Sequence, residues 1–325
     1  MTLTDLFEEA ARREASDLHL ASGESPRLRI EGGLVALEGP ADLPSLLEPF
    51  LTPEGAARLG AGLPFERTLV HGDLAFVGIA FRTGDAGLAA TFRRLPKAIP
   101  PLDVVGEGAL PLFRRLATAA KGLVLVAGAT GSGKWTTACA LTETINAEAA
   151  KRIFVVVRHP NYRFESKRSL VTQLHVGEDC ESYERALDIA PQADVDVVLL
   201  DDLPTLETLR AALALAETGT LVVANLNVRT AVEAVERLIE SASDEASALQ
   251  RSLAENLVAV TAQRLLLGLE GKGRVPAYEW IVNTPTTREA LLNGDLARAQ
   301  RDDPECQTSE AALDALVAAG KVDPV

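Results

Sequence analysis

The chain has 325 residues, 47% of them hydrophobic, and a formal net charge of −14. That length is enough for two domains with full cores. The acidity argues against nucleic acid as a main partner, and with no apolar run of membrane-spanning length the chain reads as soluble and cytoplasmic. Cys139, Cys180 and Cys306 are scattered without a C-x-x-C pair, which argues against a zinc site or disulfide framework.

In chain order, a first helix fits Leu3 to Arg13. Strands fit Asp17–Leu20 and Arg27–Ile30, the second closing at the Glu31-Gly32-Gly33 turn, and later Leu74–Phe81 and Leu88–Phe92. Residues 1–96 therefore read as a small α+β domain, and 97–121 as a connector with a Pro-containing hinge at its start. From Gly122 strands alternate with helices. Strands fit Leu123–Val126, Ile153–Val157, Val197–Leu200 and Leu221–Ala224. Their continuous apolar character suggests parallel strands covered on both faces. Helices fit Lys134 to Ile145, Leu206–Glu217, Ala231–Ser241, Ser247–Gln263 and Ser309–Ala319, the last ending at Gly320. Residues 122–270 form the expected core of this second domain and 271–325 its C-terminal part.

Between the first strand and helix of that domain lies Gly128-Ala129-Thr130-Gly131-Ser132-Gly133-Lys134-Trp135. A phosphate-binding P-loop reads G-x-x-x-x-G-K-[ST], in which backbone N–H groups cradle the phosphates, the lysine reaches the β and γ oxygens, and the final hydroxyl holds Mg²⁺. Gly128, Thr130, Gly131, Ser132, Gly133 and Lys134 keep the cradle. Trp135 occupies the hydroxyl position, and an indole N–H only donates. Thr136 and Thr137 come next, within the expected contact region, but one helical step turns Thr136 roughly 100° away from the vacated position. ATP or ADP is the expected ligand, with no metal site.

The chain resembles the PilT-like retraction ATPases of type IV pili, within the wider secretion-ATPase superfamily. The resemblance runs nearly end to end. It is carried by Ala15-Ser16-Asp17-Leu18-His19-Leu20, Phe92-Arg93-Arg94-Leu95-Pro96, residues 122–134, Leu206-Glu207-Thr208-Leu209, Ala216-Glu217-Thr218-Gly219 and Gln307-Thr308. It implies an α/β protein with a PAS-like α+β N-terminal domain followed by a RecA-like P-loop NTPase domain. It further implies a ring of six with nucleotide between domains, cytoplasmic and peripheral at the inner membrane, acting on pili through a membrane platform protein.

Four elements of the family's chemistry depart from its pattern. The P-loop hydroxyl is Trp135. The acidic box, usually I-E-D-P-I-E, reads Val157-Arg158-His159-Pro160-Asn161-Tyr162. The Walker B segment, usually ending V-G-E, ends Leu200-Asp201-Asp202. The histidine box, usually G-H-L-V-x-x-T-L-H, runs from Gly219-Thr220 to Leu226-Asn227 and lacks both histidines. Phosphoryl transfer is mostly positioning and electrostatics around the metal and γ-phosphate, so these losses act on one mechanism. Arg93 is the surviving candidate for an arginine supplied in trans.

Arg158 and His159 read as a surface pair, with direct neutralisation of phosphate as the alternative. Asp201 and Asp202 read either as partners of metal or water or as a solvated strand end. His19 reads as a satisfied core or interface histidine, and Cys139 as a small buried residue. Loss of all four elements together makes Trp135 drift at a disabled site. The expectation is a degenerate pseudo-ATPase with structural or regulatory work in a homo-hexamer or a ring mixed with an active paralogue. A slow but active retraction ATPase and a nucleotide-independent interaction module are the alternatives.

Overall fold

A computed structural model describes residues 1–39, 42–84, 87–271 and 273–323. The chain divides into two compact units, 1–98 with 159–163, and 99–158 with 164–325.

The first unit is an antiparallel sheet with helices. Helix α1 (Leu3–Arg12) starts at a capping box between Thr2 and Asp5 and buries Leu3, Leu6, Phe7 and Ala10, one stripe at helical spacing. Strands β1 (Asp17–Ala21), β2 (Arg27–Ile30), β3 (Gly33–Ala36), β4 (Phe65–His71), β5 (Leu74–Arg82) and β6 (Leu88–Arg94) lie in the order β3-β2-β1-β6-β5-β4. Short helices α2 (Leu43–Leu47) and α3 (Pro53–Gly60) join the core. An aromatic cluster fills it: Phe7 stacks on Phe76 at 4.0 Å between centroids, and Phe92 meets Phe7 and Phe50 edge-on.

In the second unit, helix α4 (Leu110–Ala117) precedes the sheet. Strands β7 (Gly122–Gly128), β8 (Arg152–Val157), β9 (Leu170–His175), β10 (Val197–Leu200), β11 (Leu221–Leu226), β12 (Leu257–Leu267) and β13 (Arg274–Val282) are ordered β13-β12-β7-β11-β10-β8-β9. All neighbours pair in parallel except the β12–β13 hairpin. Every residue of β7, β10 and β11 is buried, as a sheet covered on both faces requires. Leu123, Leu125, Val222 and Ala224 join the core formed with α6 (Tyr183–Ile189), α7 (Leu206–Thr218), α8 (Ala231–Ser241) and α9 (Ala246–Asn256). The alternate residues, Val124, Val126 and Val223, face the other way, where α5 (Lys134–Glu148) packs on β7, β10 and β11. Helices α10 (Pro285–Asn293), α11 (Leu296–Asp302) and α12 (Ser309–Ala318) complete the unit.

One expected element is wrong. The helix expected over Ser247–Gln263 ends at Asn256, and Leu257 begins a strand of 11 residues. Residues 257–262 are a mostly apolar run with three β-branched members, Val258, Val260 and Thr261, whose periodicity does not separate a buried strand from a buried helix. Pairing with β7 on one side and β13 on the other decides it.

Candidate functional site

The P-loop connects β7 to α5. Gly131 (φ 81°) and Gly133 (φ 86°) take left-handed backbone that side-chain-bearing residues rarely adopt, and Gly133 caps α5. Space is as restrictive as dihedral angle: a Cβ on Gly128 would lie 2.4 Å from Ser132 Oγ, and one on Gly133 would lie 2.8 Å from Gln263 Nε2. The result is a tight turn with the first N–H groups of a 15-residue helix behind it, the arrangement that favours anions. Lys134 is half-buried, and its Nζ donates to Ala129 O at 3.2 Å. Burial holds its pKa below the ordinary lysine value, opposed by the Asp202 carboxylate.

Two orphaned polar atoms lie in this loop and the helix start. Ser132 is 5% exposed, and its Oγ finds no partner; neither does the buried Nε1 of Trp135. Buried polar atoms are ordinarily satisfied, so the Ser132 hydroxyl keeps hydrogen-bonding capacity that no described group of the protein uses. The buried Oδ1 of Asn225, on β11, is likewise unpartnered. Thr137 differs from its expected role. It is 1% exposed, and its hydroxyl lies 2.8 Å from both Gln263 Oε1 and Tyr278 OH, so it ties α5 to the β12–β13 hairpin instead of facing the cradle. Thr136 is half-buried and has a partner of its own.

Asp201 is half-buried and engaged, not a solvated strand end. Its carboxylate accepts from Tyr183 OH at 2.6 Å and from the Arg158 N–H at 2.9 Å. Burial and this carboxylate both push the Tyr183 phenol well above its ordinary pKa. Asp202 accepts from the Leu203 N–H at 2.9 Å. The exposed Arg158 guanidinium stands over the Tyr183 ring at 5.9 Å. His159, in the 159–163 segment grouped with the first unit, lies 3.0 Å from Glu66. Asn227 is exposed. In the first unit, Arg93 lies on β6, paired with Asp17 at 3.2 Å, and its side chain stays 67% exposed. His19 Nδ1 meets Thr91 Oγ1 at 3.1 Å while its buried Nε2 has no partner, so the expected satisfaction is half met.

Beside the loop opens a cavity of about 860 Å³, within the range of small-molecule sites. Ala129 to Ser132 form one wall. Four arginines, Arg229, Arg264, Arg274 and Arg301, line it against two carboxylates, Glu279 and Glu310. Glu279 accepts from the Ala231 N–H at 2.5 Å, and burial raises its pKa. Arg264, Arg274 and Glu279, with Gln263 and Tyr278, come from the β12–β13 hairpin, of which the sequence pattern assigned only the start, and that as helix, so it concealed them. Arg229 was within reach, because it lies just past the C-terminal edge of β11, where ligands of open parallel sheets gather.

Residues 95–311 match the model of the type II/IV secretion system protein family. The chain is 32% identical over 307 residues to the type IV pilus retraction ATPase PilT of Pseudomonas aeruginosa, covering 92% of this chain and 87% of the relative. It belongs to this family, in the PilT-like branch. It is 35% identical over 300 residues to the uncharacterized protein YggR of Escherichia coli K12, covering 90% of each. A crystal structure of the pilus retraction motor PilT with bound ADP superposes with a TM-score of 0.90 at 29% identity, over 99% of this chain and 94% of that one. The structure of the Legionella pneumophila ATPase DotB shares the fold at a TM-score of 0.86 and 19% identity. The PilT-like chain is thus an α/β protein whose N-terminal domain precedes an ATPase-type domain. Among its described residues no helix is long and apolar enough to cross a membrane.

The divalent cation that a P-loop fold implies does not fit the residues present. Mg²⁺ takes hard oxygen ligands. The hook position presents an indole N–H, and Asp201 is committed to Tyr183 and Arg158.

Proposed function

We propose that this PilT-like chain is a nucleotide-binding pseudo-ATPase, a structural or regulatory subunit of a type IV pilus or related motor. One observation carries the reading: an intact cradle stands among chemical positions that are replaced or already engaged. Gly131, Gly133 and Lys134 keep the phosphate-binding geometry, while Trp135 offers no metal ligand and Asp201 is engaged by its neighbours. Electrostatic stabilisation of the transferring phosphoryl group, the main source of catalysis in this chemistry, lacks its parts. Likeness to PilT supports a cytoplasmic ring at the inner membrane, formed by six copies or mixed with an active paralogue and meeting a platform protein. Residues 1–96 would serve as its PAS-like domain and 122–325 as its RecA-like core, with Arg93 presented from the former.

The test pairs ADP calorimetry with an ATP turnover assay on the purified chain. Binding that Lys134→Ala weakens about tenfold or more, with no turnover above background in Mg²⁺, is expected. Metal-dependent turnover comparable to that of the P. aeruginosa PilT would overturn the reading.

A further inference from the structure

We infer that this chain binds a nucleoside polyphosphate without a divalent cation, with the Arg229 guanidinium supplying the counter-charge that metal supplies in an ordinary P-loop. The inference rests on the nucleotide binding proposed above and names how that site does it. A polyphosphate entering a chain of net charge −14 needs positive charge close at hand. Lys134 is one such charge. The cavity wall facing the loop supplies the rest, since arginines there outnumber glutamates four to two.

Arg229 is the member best suited to the role. It lines the cavity together with Ala129, Thr130, Gly131 and Ser132. It is exposed, and among the described residues no hydrogen bond or ion pair engages it. Its backbone is nevertheless fixed on both sides. Val228 before it is 3% exposed, and Thr230 after it caps α8 by accepting from the Glu233 N–H. Glu279 then holds the next N–H, that of Ala231. The guanidinium is unengaged, and the loop between β11 and α8 that carries it is anchored at both ends, so it is available to a ligand in this cavity. Arginine keeps its charge at any working pH and meets phosphate oxygens through a planar fork, with no metal between. Arg264 is less available because it donates to Ser309 O at 3.3 Å. The second observation pointing to a ligand is independent of charge: Ser132, a residue lining the same cavity, carries a buried hydroxyl without a partner.

The test is calorimetry of ADP with the full chain, in excess EDTA and in excess MgCl₂, for wild type, Arg229→Ala and Lys134→Ala. The wild-type Kd should agree within about threefold between the two conditions, and Arg229→Ala should raise it about tenfold in EDTA, the loss of one charge-assisted contact. Since Arg229 is exposed, the variant should melt with the wild type, and a melting curve on the same sample checks it. Wild-type binding only in MgCl₂ overturns the inference and leaves nucleotide binding standing. Binding in EDTA that Arg229→Ala does not change overturns the assignment to Arg229. Absence of binding in both conditions overturns the inference and the proposed nucleotide-binding function together.

Discussion

Replacing Trp135 by serine restores the motif's spelling, and the structure indicates how little that should achieve. Truncating a fully buried tryptophan costs about 3–5 kcal/mol. Trp135 is only half-buried, so roughly half of that, about 2 kcal/mol, is at stake. Against it stands the buried Nε1 with no acceptor, whose desolvation penalty of about 1–3 kcal/mol disappears with the indole. The two nearly cancel. The net change should lie within about 1 kcal/mol of zero, a Tm displacement of no more than about 2–4 °C for a domain of this size. Scanning calorimetry measures this, and a coupled phosphate-release assay with Mg²⁺ on the same sample measures turnover. Turnover should stay at background, because Arg158 and Asn227 still occupy positions where the family has an acid and a histidine. A loss of more than about 8 °C would show that the indole anchors α5. A rise in metal-dependent turnover of about tenfold, worth only about 1.4 kcal/mol of barrier, would refute the claim that the remaining losses block chemistry.

Three further outcomes are expected. Tyr183→Phe removes one hydrogen bond to the Asp201 carboxylate; chemical denaturation should show a loss of about 1.5–3 kcal/mol, and an unchanged midpoint would mean the bond is not formed in solution. Thr137→Val keeps the shape but leaves Gln263 Oε1 and Tyr278 OH without the hydroxyl that joins them; it should destabilise by about 1–3 kcal/mol without weakening ADP binding, and a selective loss of binding would return Thr137 to the nucleotide site. His19 has a pKa lowered chiefly by burial, so as pH falls through about 6.5 the unfolded chain takes up the proton first. Its stability contribution is therefore present above that pH and lost below it, and the Tm of wild type should fall toward pH 5 more steeply than that of His19→Asn, while parallel profiles would contradict the shift.

Much of the fold was readable because its signals are local. Leu123 to Val126 and Val197 to Leu200 are unbroken apolar runs, and α8 carries both its cap at Thr230 and a clean stripe. The site was readable only where the chemistry is contiguous, at residues 128–135. What failed was non-local. Nothing near Leu257 announces a strand; its partners are Leu123, far upstream, and β13, downstream. Missing that hairpin also hid Gln263, Tyr278 and Glu279. Asp201 could be placed at a strand end, but its engagement by Tyr183, 18 residues earlier, depends on how α6 packs.

The crowding around Gly128 and Gly133 bears on what a surviving motif records. A side chain at either position would strike Ser132 or Gln263 whether or not a nucleotide is ever hydrolysed. Folding alone therefore favours glycine at both positions, independently of whether nucleotide is turned over, whereas nothing in the packing calls for a hydroxyl at position 135. The motif's parts therefore answer to different demands: its glycines to the architecture of the turn, and its last residue to chemistry alone.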